Sequence, residues 1–464
     1  MKVLEKMKLA CSDIQNALSV QPLKTAKNHG KRLLSFDEVG FNGVSIDSRT
    51  TKKDDLFFAI KGERFDGHDY IQQAIANGAS GVVVSKNISA GDVIVFKVND
   101  TLRAFGNLAS YYREKFNIEC IGITGSNGKT TTKEMLAACL QTKYTVLKTT
   151  GNFNNLVGLP LSLFNLNHNY RVGVFELGMS IPGEMSRLAE ISRPQTAVFT
   201  NIAPVHLETM GSIDAIAKAK YELVKRLPAN GTVILNIDDN ILSEWIKKTP
   251  QNTITYGIEK DADYKVSGFS IIAGKKSSFK LNGVSYQINY PGKHNIYNAA
   301  AAIAASVHLG VRPESLIEPL SKLKAYHLRS EVFESGGVVF INDCYNANPV
   351  SMENAIDALA NYPSWGRKVA VLGDMFELGV NKEDFHVEIG WYLNLRNIDA
   401  LFTYGKLSKY YLSKFQSGIK EHFKNKSELI HCLNQYLKAA DVVLVKGSRG
   451  MALEEITRSF RRND

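Results

Sequence analysis

Between Gly122 and Leu136 the chain reads GITGSNGKTTTKEML, with glycines at 122, 125 and 128 followed by Lys129 and a run of threonines. A glycine-rich turn between a strand and a helix N-terminus gathers outward-pointing backbone N–H groups where the helix dipole favours negative charge. Gly125 and Gly128 carry no Cβ to keep a phosphate away from the backbone. Lys129 would then reach the β- and γ-phosphates of a nucleotide, and the Thr130 hydroxyl would sit on Mg²⁺. The general phosphate loop, G-x-x-x-x-G-K-[ST], needs glycine at position 123, where Ile123 stands, so this loop is of another build. The G-x-G-x-x-G spacing of a dinucleotide site is absent.

Such a loop works only if a strand delivers it and a helix follows. IECIGIT is a compact apolar strand, and TTTKEMLAACL is a helix with threonine as an early cap. Downstream, the β-branched runs YTVLKT, YRVGVFELG, TAVFTNI and GTVILNI alternate with helical EMSRLAEI and SIDAIAKAKYELVKRL. That rhythm implies βαβ units and a mostly parallel sheet with its ligand site at the strands' carboxyl ends. Before residue 115, DLFFAI and GVVVS flank a helical DYIQQAIANGA. After HLRSEVFESGGVVFIND the rhythm returns in KVAVLGD, IDALFTYG and DVVLVKGS. The expected fold is α/β in three domains: a small α/β domain over 1–115, a central nucleotide-binding domain with a mostly parallel sheet over 116–325, and a Rossmann-like domain over 326–464. A chain of 464 residues exceeds what one core usually serves.

Composition is that of an ordinary soluble globular protein, 44% hydrophobic and 22% charged. A net charge of +10 suits an anionic partner, but no dense Lys/Arg block or interleaved aromatics mark a nucleic-acid binder. Five scattered cysteines without C-x-x-C argue for reduced thiols in a cytoplasm, and against a disulfide scaffold or zinc site. The N-terminal MKVLEKMKLACSDIQNAL lacks the apolar run of a signal peptide, and no segment reaches a membrane span of about 20 residues.

Several longer segments narrow the reading: GNFNNLVGLPLSLFNL, FELGMSIPGEMSRLAEISRPQTAVFTNIAPVHLETM, GKHNIYNAAAAIAA and INDCYNANPVSMENAIDAL. Together, from about Gly43 to Met451, they closely resemble the Mur ligase family of ATP-dependent amide-forming enzymes of bacterial cell-wall synthesis. That family's loop, T-G-[ST]-N-G-K-[ST], is matched residue by residue from Thr124 to Thr130. GNFNN, ELGM and CYNANPVSM look most like the last member of the series, which joins D-alanyl-D-alanine to UDP-N-acetylmuramoyl-tripeptide through an acyl phosphate.

The resemblance implies ATP and Mg²⁺ as cofactors. It implies nucleotide contacts from Thr124, Gly125, Ser126, Asn127, Gly128, Lys129, Thr130 and Thr131, with Asn295 and Asn298 on the adenine side. Arg329 and Asp343 would close over ATP from the third domain, so hinge closure is expected. Thr130, Glu176, His206 and a carbamylated Lys220 would hold metal, and Lys129, Glu176, His206 and Lys220 would carry catalysis. Lys218 competes with Lys220 for that role. Ser48 and Arg49 would contact the uridine diphosphate, and Asn152 and Asn155 the substrate. Lys446 and Arg449, in VKGSRGM, suit a peptide carboxylate or simply a solvated basic turn. Without the resemblance, Glu176 reads as a strand-end carboxylate and His206 as a structural hydrogen-bonder. Leu328 and Ser330 flank Arg329 where many family members read glycine and methionine, and Asn342 stands where a second Asp is common.

Within the family, the ligase adding diaminopimelate or lysine as third residue is the nearest alternative, but its D-N-P-R segment is missing. Folate polyglutamate ligases lack the DSR…DGH first domain. A non-catalytic ATP-binding regulator sits poorly with the intact Lys129, Thr130, Glu176, His206 and Lys220, and a GTPase with the missing N-K-x-D. A monomer in the bacterial cytoplasm, with no nucleic-acid partner and no membrane insertion, is expected.

Overall fold

The computed structural model describes residues 7–23, 28–29, 32–33, 40–89, 93–272, 274–324, 326 and 328–461. The signal-peptide reading rests partly on residues 1–6, and the boundary expected at 325/326 falls on Ala325; both lie outside the described residues. The chain divides into two compact units, Met1–Gly122 with Tyr144–Met179 and Glu184–Thr196, and Ile123–Lys143 with Ser180–Gly183 and Ala197–Asp464.

In the first unit, strands Gly43–Ser45, Asp55–Phe58, Gly81–Val84 and Ile94–Lys97 form a parallel sheet in that order. Phe57, Val82, Val84 and Val95 pack with Ile71 and Ala74 of the short helix Ile71–Ala76. Phe58 meets Phe105 edge-on at 5.1 Å, from helix Thr101–Glu114, whose N-cap Asp100 accepts from the Arg103 amide. Each buried Phe or Val contributes about 1.5–3 kcal/mol relative to exposure. A further parallel pair, Val146–Lys148 with Val172–Glu176, carries Glu176 at its end.

In the second unit, strands Thr232–Asn236, Asn252–Gly257 and Tyr264–Ile272 run parallel. Lys276–Leu281 and Val284–Ile288 then continue as an antiparallel meander. Helix Lys293–His308, with its buried alanine run, packs against the loop helix Lys129–Leu140. Alanine favours helix and brings two helix axes close. The C-terminal sheet runs Glu331–Ser335, Val338–Asn342, Val442–Lys446, Lys368–Gly373, Ala400–Tyr404, Ile419–Phe423, parallel apart from its first, antiparallel strand. Alternate residues face opposite ways, as a strand's two-residue period requires. Ala370, Leu372 and Leu444 pack under helices Pro349–Ala360 and Lys382–Leu395. Val369, Val371 and Val443 pack under Lys426–Tyr436 and Glu454–Phe460. Both faces are covered, as a largely parallel sheet needs.

The expectation of a threonine cap on the loop helix is corrected. The helix begins at Lys129, its N-cap is Gly128 at φ 83°, and no side chain caps it. The threonine hydroxyls have other partners: Thr130 accepts from Arg329 and Thr132 donates to Asn298. Leu328 adopts φ 62°, the left-handed region where glycine is unstrained. Its side chain is buried against Phe340 and Val445, and that packing offsets a strain of about 1–2 kcal/mol.

Candidate active site

The phosphate-type loop is held down at almost every polar group. Ser126 N–H donates to the Asn201 carbonyl (2.9 Å), and Ser126 Oγ donates to Ala203 O while accepting from Ala203 N. Asn127 N–H donates to Asn201 Oδ1 at 2.9 Å, and its carbonyl accepts from Thr200 Oγ1 and Asn201 Nδ2. Thr200 and Asn201 follow directly on strand Thr196–Phe199, and Asn236 and Tyr256 anchor that strand end by donating to the Thr200 and Phe199 carbonyls. Close approach explains the glycines. A Cβ on Gly125 would lie 1.8 Å from Thr200 Oγ1, and one on Gly128 would lie 2.2 Å from Asn298 Oδ1.

Two lysines converge on one atom. Lys129 Nζ donates to the carbonyls of Gly125 (2.8 Å) and Ser126 (3.2 Å), and Lys220 Nζ reaches the same Gly125 carbonyl at 3.1 Å. Lys220 lies on helix Ile213–Arg226 with its side chain buried, whereas Lys218 is exposed. Burial, reinforced by the Lys129 charge, holds the Lys220 amine well below its ordinary pKa.

Residues from the C-terminal sheet reach this loop. Arg329 Nη2 donates to Thr130 Oγ1 at 3.1 Å, and its guanidinium lies 3.7 Å from the Tyr345 ring centroid. Its Nε is buried without a hydrogen-bond partner. Asn348 exchanges two hydrogen bonds with Asn127. Asp343, expected beside the nucleotide, ion-pairs with Lys446 at 2.6 Å and accepts from the Ser330 amide at 3.0 Å. Burial raises the Asp343 pKa, but the Lys446 charge and hydrogen bond, with His294 and Ser330, outweigh it and keep the carboxyl ionised. Lys446 is thus committed to Asp343, and Arg449 to Glu454 at 2.7 Å.

The remaining expected residues are placed as follows. Asn295 and Asn298 are buried in helix Lys293–His308: Asn295 Nδ2 donates to the Pro291 carbonyl, and Asn298 Nδ2 to Asn295 Oδ1. Thr124 and Thr131 are buried, and Thr124 Oγ1 has no partner. His206, at φ 52°, donates from Nδ1 to Glu377, and this bond lowers the Glu377 pKa. Glu176 belongs to the first unit, buried at its strand end, where Asn154 Nδ2 donates to Oε1 at 2.8 Å. In the same unit Ser48 donates to Gln73, exposed Arg49 pairs with Asp47, Asn155 Oδ1 accepts from the Val157 and Gly158 amides, and Asn152 is exposed. Among the described residues, no three His, Cys, Asp or Glu gather as a metal cluster.

Sequence reasoning missed Thr200, Asn201, Tyr345, Asn348, His294 and Glu377. Asn201 and Asn348 each carried a weak signal: an amide directly after an apolar strand, and an amide directly before a proline-initiated helix. His294 lies close enough to feel Asp343 and Lys446, and burial pushes its imidazole down to about 4.

Comparison with known proteins agrees with this architecture. Sequence models of the Mur ligase family's catalytic domain, the Mur ligase middle domain and the Mur ligase glutamate ligase domain match residues 40–113, 123–306 and 328–449. The UDP-N-acetylmuramoyl-tripeptide--D-alanyl-D-alanine ligase of Bacillus subtilis (strain 168) is 38% identical over 92% of this chain and 94% of its own. MurF from Acinetobacter baumannii superposes with a TM-score of 0.89 at 29% identity, covering 98% of this chain and 99% of that one. MurF ligase from Thermotoga maritima, solved in complex with ADP, superposes with a TM-score of 0.82 at 31% identity over 90% of this chain and 96% of its own. With similarity running through all three domains and a loop built as described, the chain belongs to the Mur ligase family.

Proposed function

We propose that the protein joins D-alanyl-D-alanine to UDP-N-acetylmuramoyl-tripeptide at the expense of ATP, in the synthesis of a peptidoglycan precursor. The observation that carries this reading is the loop itself, with Lys129 and Lys220 directed at one carbonyl of a glycine-built phosphate cradle. The substrates are those named for the Bacillus subtilis relative.

In this reaction a tripeptide carboxylate oxygen attacks the γ-phosphorus, the bond to ADP breaks, and an acyl phosphate forms. The amine of D-alanyl-D-alanine then attacks the acyl carbon, phosphate departs, and the amine releases a proton. Both steps concentrate negative charge, so fixed cations and N–H groups do most of the catalysis. Lys129 would exchange the Gly125 and Ser126 carbonyls for phosphate oxygens. Arg329, stacked on Tyr345 with an unused Nε–H, brings a second cation to the loop. The two glycines let the loop close tightly on Thr200 and Asn298, whose side chains a Cβ at Gly125 or Gly128 would strike.

Thr130 and Glu176 would hold Mg²⁺ through oxygen donors that suit a hard cation, and His206 would add a ring nitrogen. When bound, Mg²⁺ neutralises and orients the transferring phosphoryl group. Lys220 is the buried lysine, its pKa pushed down by burial, and the uncharged amine is the form that adds CO₂. Carbamylation would form the N–C bond, release a proton and turn Lys220 into an oxygen donor, a role that exposed Lys218 does not suit. The domain boundaries we propose are 1–115, 116–325 and 326–464. We also propose a monomer working in a bacterial cytoplasm; no described helix is long and apolar enough to cross a membrane.

The test is phosphate release by the purified chain with Mg²⁺–ATP. Release should require UDP-N-acetylmuramoyl-tripeptide and D-alanyl-D-alanine together. Release with the dipeptide precursor and diaminopimelate or lysine, but not with this pair, would sink the assignment. Lys129→Ala should abolish turnover with the fold intact, and retained activity would refute the role given to the loop.

A further inference from the structure

The segment Asp343–Asn348 lies between strand Val338–Asn342 and helix Pro349–Ala360. Its last residue serves two partners at once. Asn348 Oδ1 caps the helix by accepting from the Ser351 amide at 3.0 Å, and the Asn348 amide donates to Ser351 Oγ at 3.0 Å. The same side chain meets Asn127 of the phosphate-type loop in a reciprocal amide pair. Asn348 Nδ2 donates to Asn127 Oδ1 at 2.7 Å, and Asn127 Nδ2 donates to Asn348 Oδ1 at 3.2 Å. Asn348 is buried to 4% exposure, so water does not replace these bonds freely.

The loop needs such a restraint. Asn127 lies between Gly125 at φ 150° and Gly128 at φ 83°, two residues that on their own permit many backbone conformations. Thr200 and Asn201 fix the Asn127 backbone, but its side chain is held by Asn348. A carboxamide pair is also specific: each partner presents its donor and its acceptor on separate atoms, whereas a carboxylate lacks the donor and a serine hydroxyl offers one atom on a shorter side chain. Helix Pro349–Ala360 adds rigidity behind Asn348, through buried Met352, Ile356 and Leu359 in the core of the C-terminal sheet.

We propose that Asn348 is a positioning residue for ATP: through its amide pair with Asn127 it sets the loop in its phosphate-binding conformation and couples nucleotide binding to docking of the C-terminal segment. The inference rests on the nucleotide-binding part of the proposed function. Asn348 acts through Asn127 and touches no phosphate itself. By linkage, nucleotide should in turn hold the N-terminus of helix Pro349–Ala360 more firmly against the loop.

The experiment separates this role from simple helix capping. Asn348→Ser keeps the cap, because serine and asparagine are equivalent N-caps, but removes both bonds to Asn127. Binding of Mg²⁺–AMPPNP to the full chain, measured by calorimetry, should weaken about tenfold, while the melting temperature of the free protein stays within about 2 °C. Asn127→Ser should also weaken binding, and Asn127→Ser/Asn348→Ser should bind no worse than Asn127→Ser alone, since the pair is lost once. Nucleotide should slow amide exchange at residues 350–352 in the parent chain and not in Asn348→Ser. An unchanged nucleotide Kd in Asn348→Ser, or losses that simply add in the double variant, would overturn the proposal. A parent chain that binds AMPPNP but turns over no ligase substrates would sink the proposed substrates and leave this inference standing. A parent that binds no nucleotide would sink both.

Discussion

Gly128→Ala offers a quantitative check on the loop, because two separate costs can be assigned to it. At φ 83° an alanine sits in the left-handed region, at about 1–2 kcal/mol. Its Cβ would also fall 2.2 Å from Asn298 Oδ1, well inside contact distance. Asn298 has little freedom to move, since it is buried, accepts from Thr132 Oγ1 and donates to Asn295. Overpacking of this kind typically costs about 1–3 kcal/mol, so the total is roughly 2–5 kcal/mol. For a chain of 464 residues the shift is about 1 °C per kcal/mol, so the melting temperature should drop by roughly 2–5 °C. If the loop yields instead of the fold, the same energy appears as weaker nucleotide binding, roughly tenfold for each 1.4 kcal/mol. Gly183 supplies the control: its φ of 87° is nearly the same, and nothing lies within 4 Å of its Cβ position. Gly183→Ala should therefore show only the backbone term of about 1–2 kcal/mol. Gly128→Ala/Asn298→Ala should recover stability relative to Gly128→Ala, by removing the atom struck. Thermal unfolding and AMPPNP titration of the four proteins decide the matter. Equal behaviour of Gly128→Ala and Gly183→Ala, or no recovery in the double variant, would refute the close approach of helix Lys293–His308 to the loop.

Three further outcomes are expected. His294 stays neutral in the fold down to about pH 4 while its unfolded form protonates near 6.5. The unfolded state binds the extra proton in that window, so stability is lost as pH falls from 6.5 towards 4, by up to about 3 kcal/mol; His294→Gln should flatten this acid limb in denaturation curves. Lys446→Met leaves Asp343 charged and buried and should cost about 3–5 kcal/mol, whereas Lys446→Met/Asp343→Asn should regain much of it; equal losses in chemical denaturation would show the pair to be dispensable. Burial holds the Lys220 pKa below its unfolded value of about 10.4, so the unfolded state binds the proton more readily and stability rises as pH climbs towards that value. Lys220→Met should lose this slope, and the Gly125 carbonyl keeps its bond from Lys129.

Much of the frame could be read from local pattern. YRVGVFELG, TAVFTNI, GTVILNI, KVAVLGD and DVVLVKGS all became strands, and the strand before the phosphate-type loop ends at Thr124 as its apolar run does. What was not legible shares a cause, which is that partners lay far along the chain. Threonine after Lys129 looked like a cap because its hydroxyl had no visible rival, yet Thr130 and Thr132 bond to Arg329 and Asn298. Asp343 and Lys446 were each read as reaching for a ligand, and only the pairing of strands Val338–Asn342 and Val442–Lys446 brings them together. The choice between Lys218 and Lys220 likewise needed burial, which a helix with lysines two residues apart does not reveal.

The reach of the loop's hydrogen bonds has a consequence for biosynthesis. Asn127 meets Thr200 73 residues later and Asn348 221 residues later. At roughly 5–20 residues per second, a ribosome delivers Asn348 some 10–45 s after Asn127. Through that interval the nascent loop has its strand and its helix but not its last restraint. Neither compact unit is a continuous stretch of chain: the first needs residues up to Thr196, and the second runs on to Asp464. A growing chain of this protein therefore gains its fully restrained nucleotide loop only once Asn348 has been made and has folded back on Asn127.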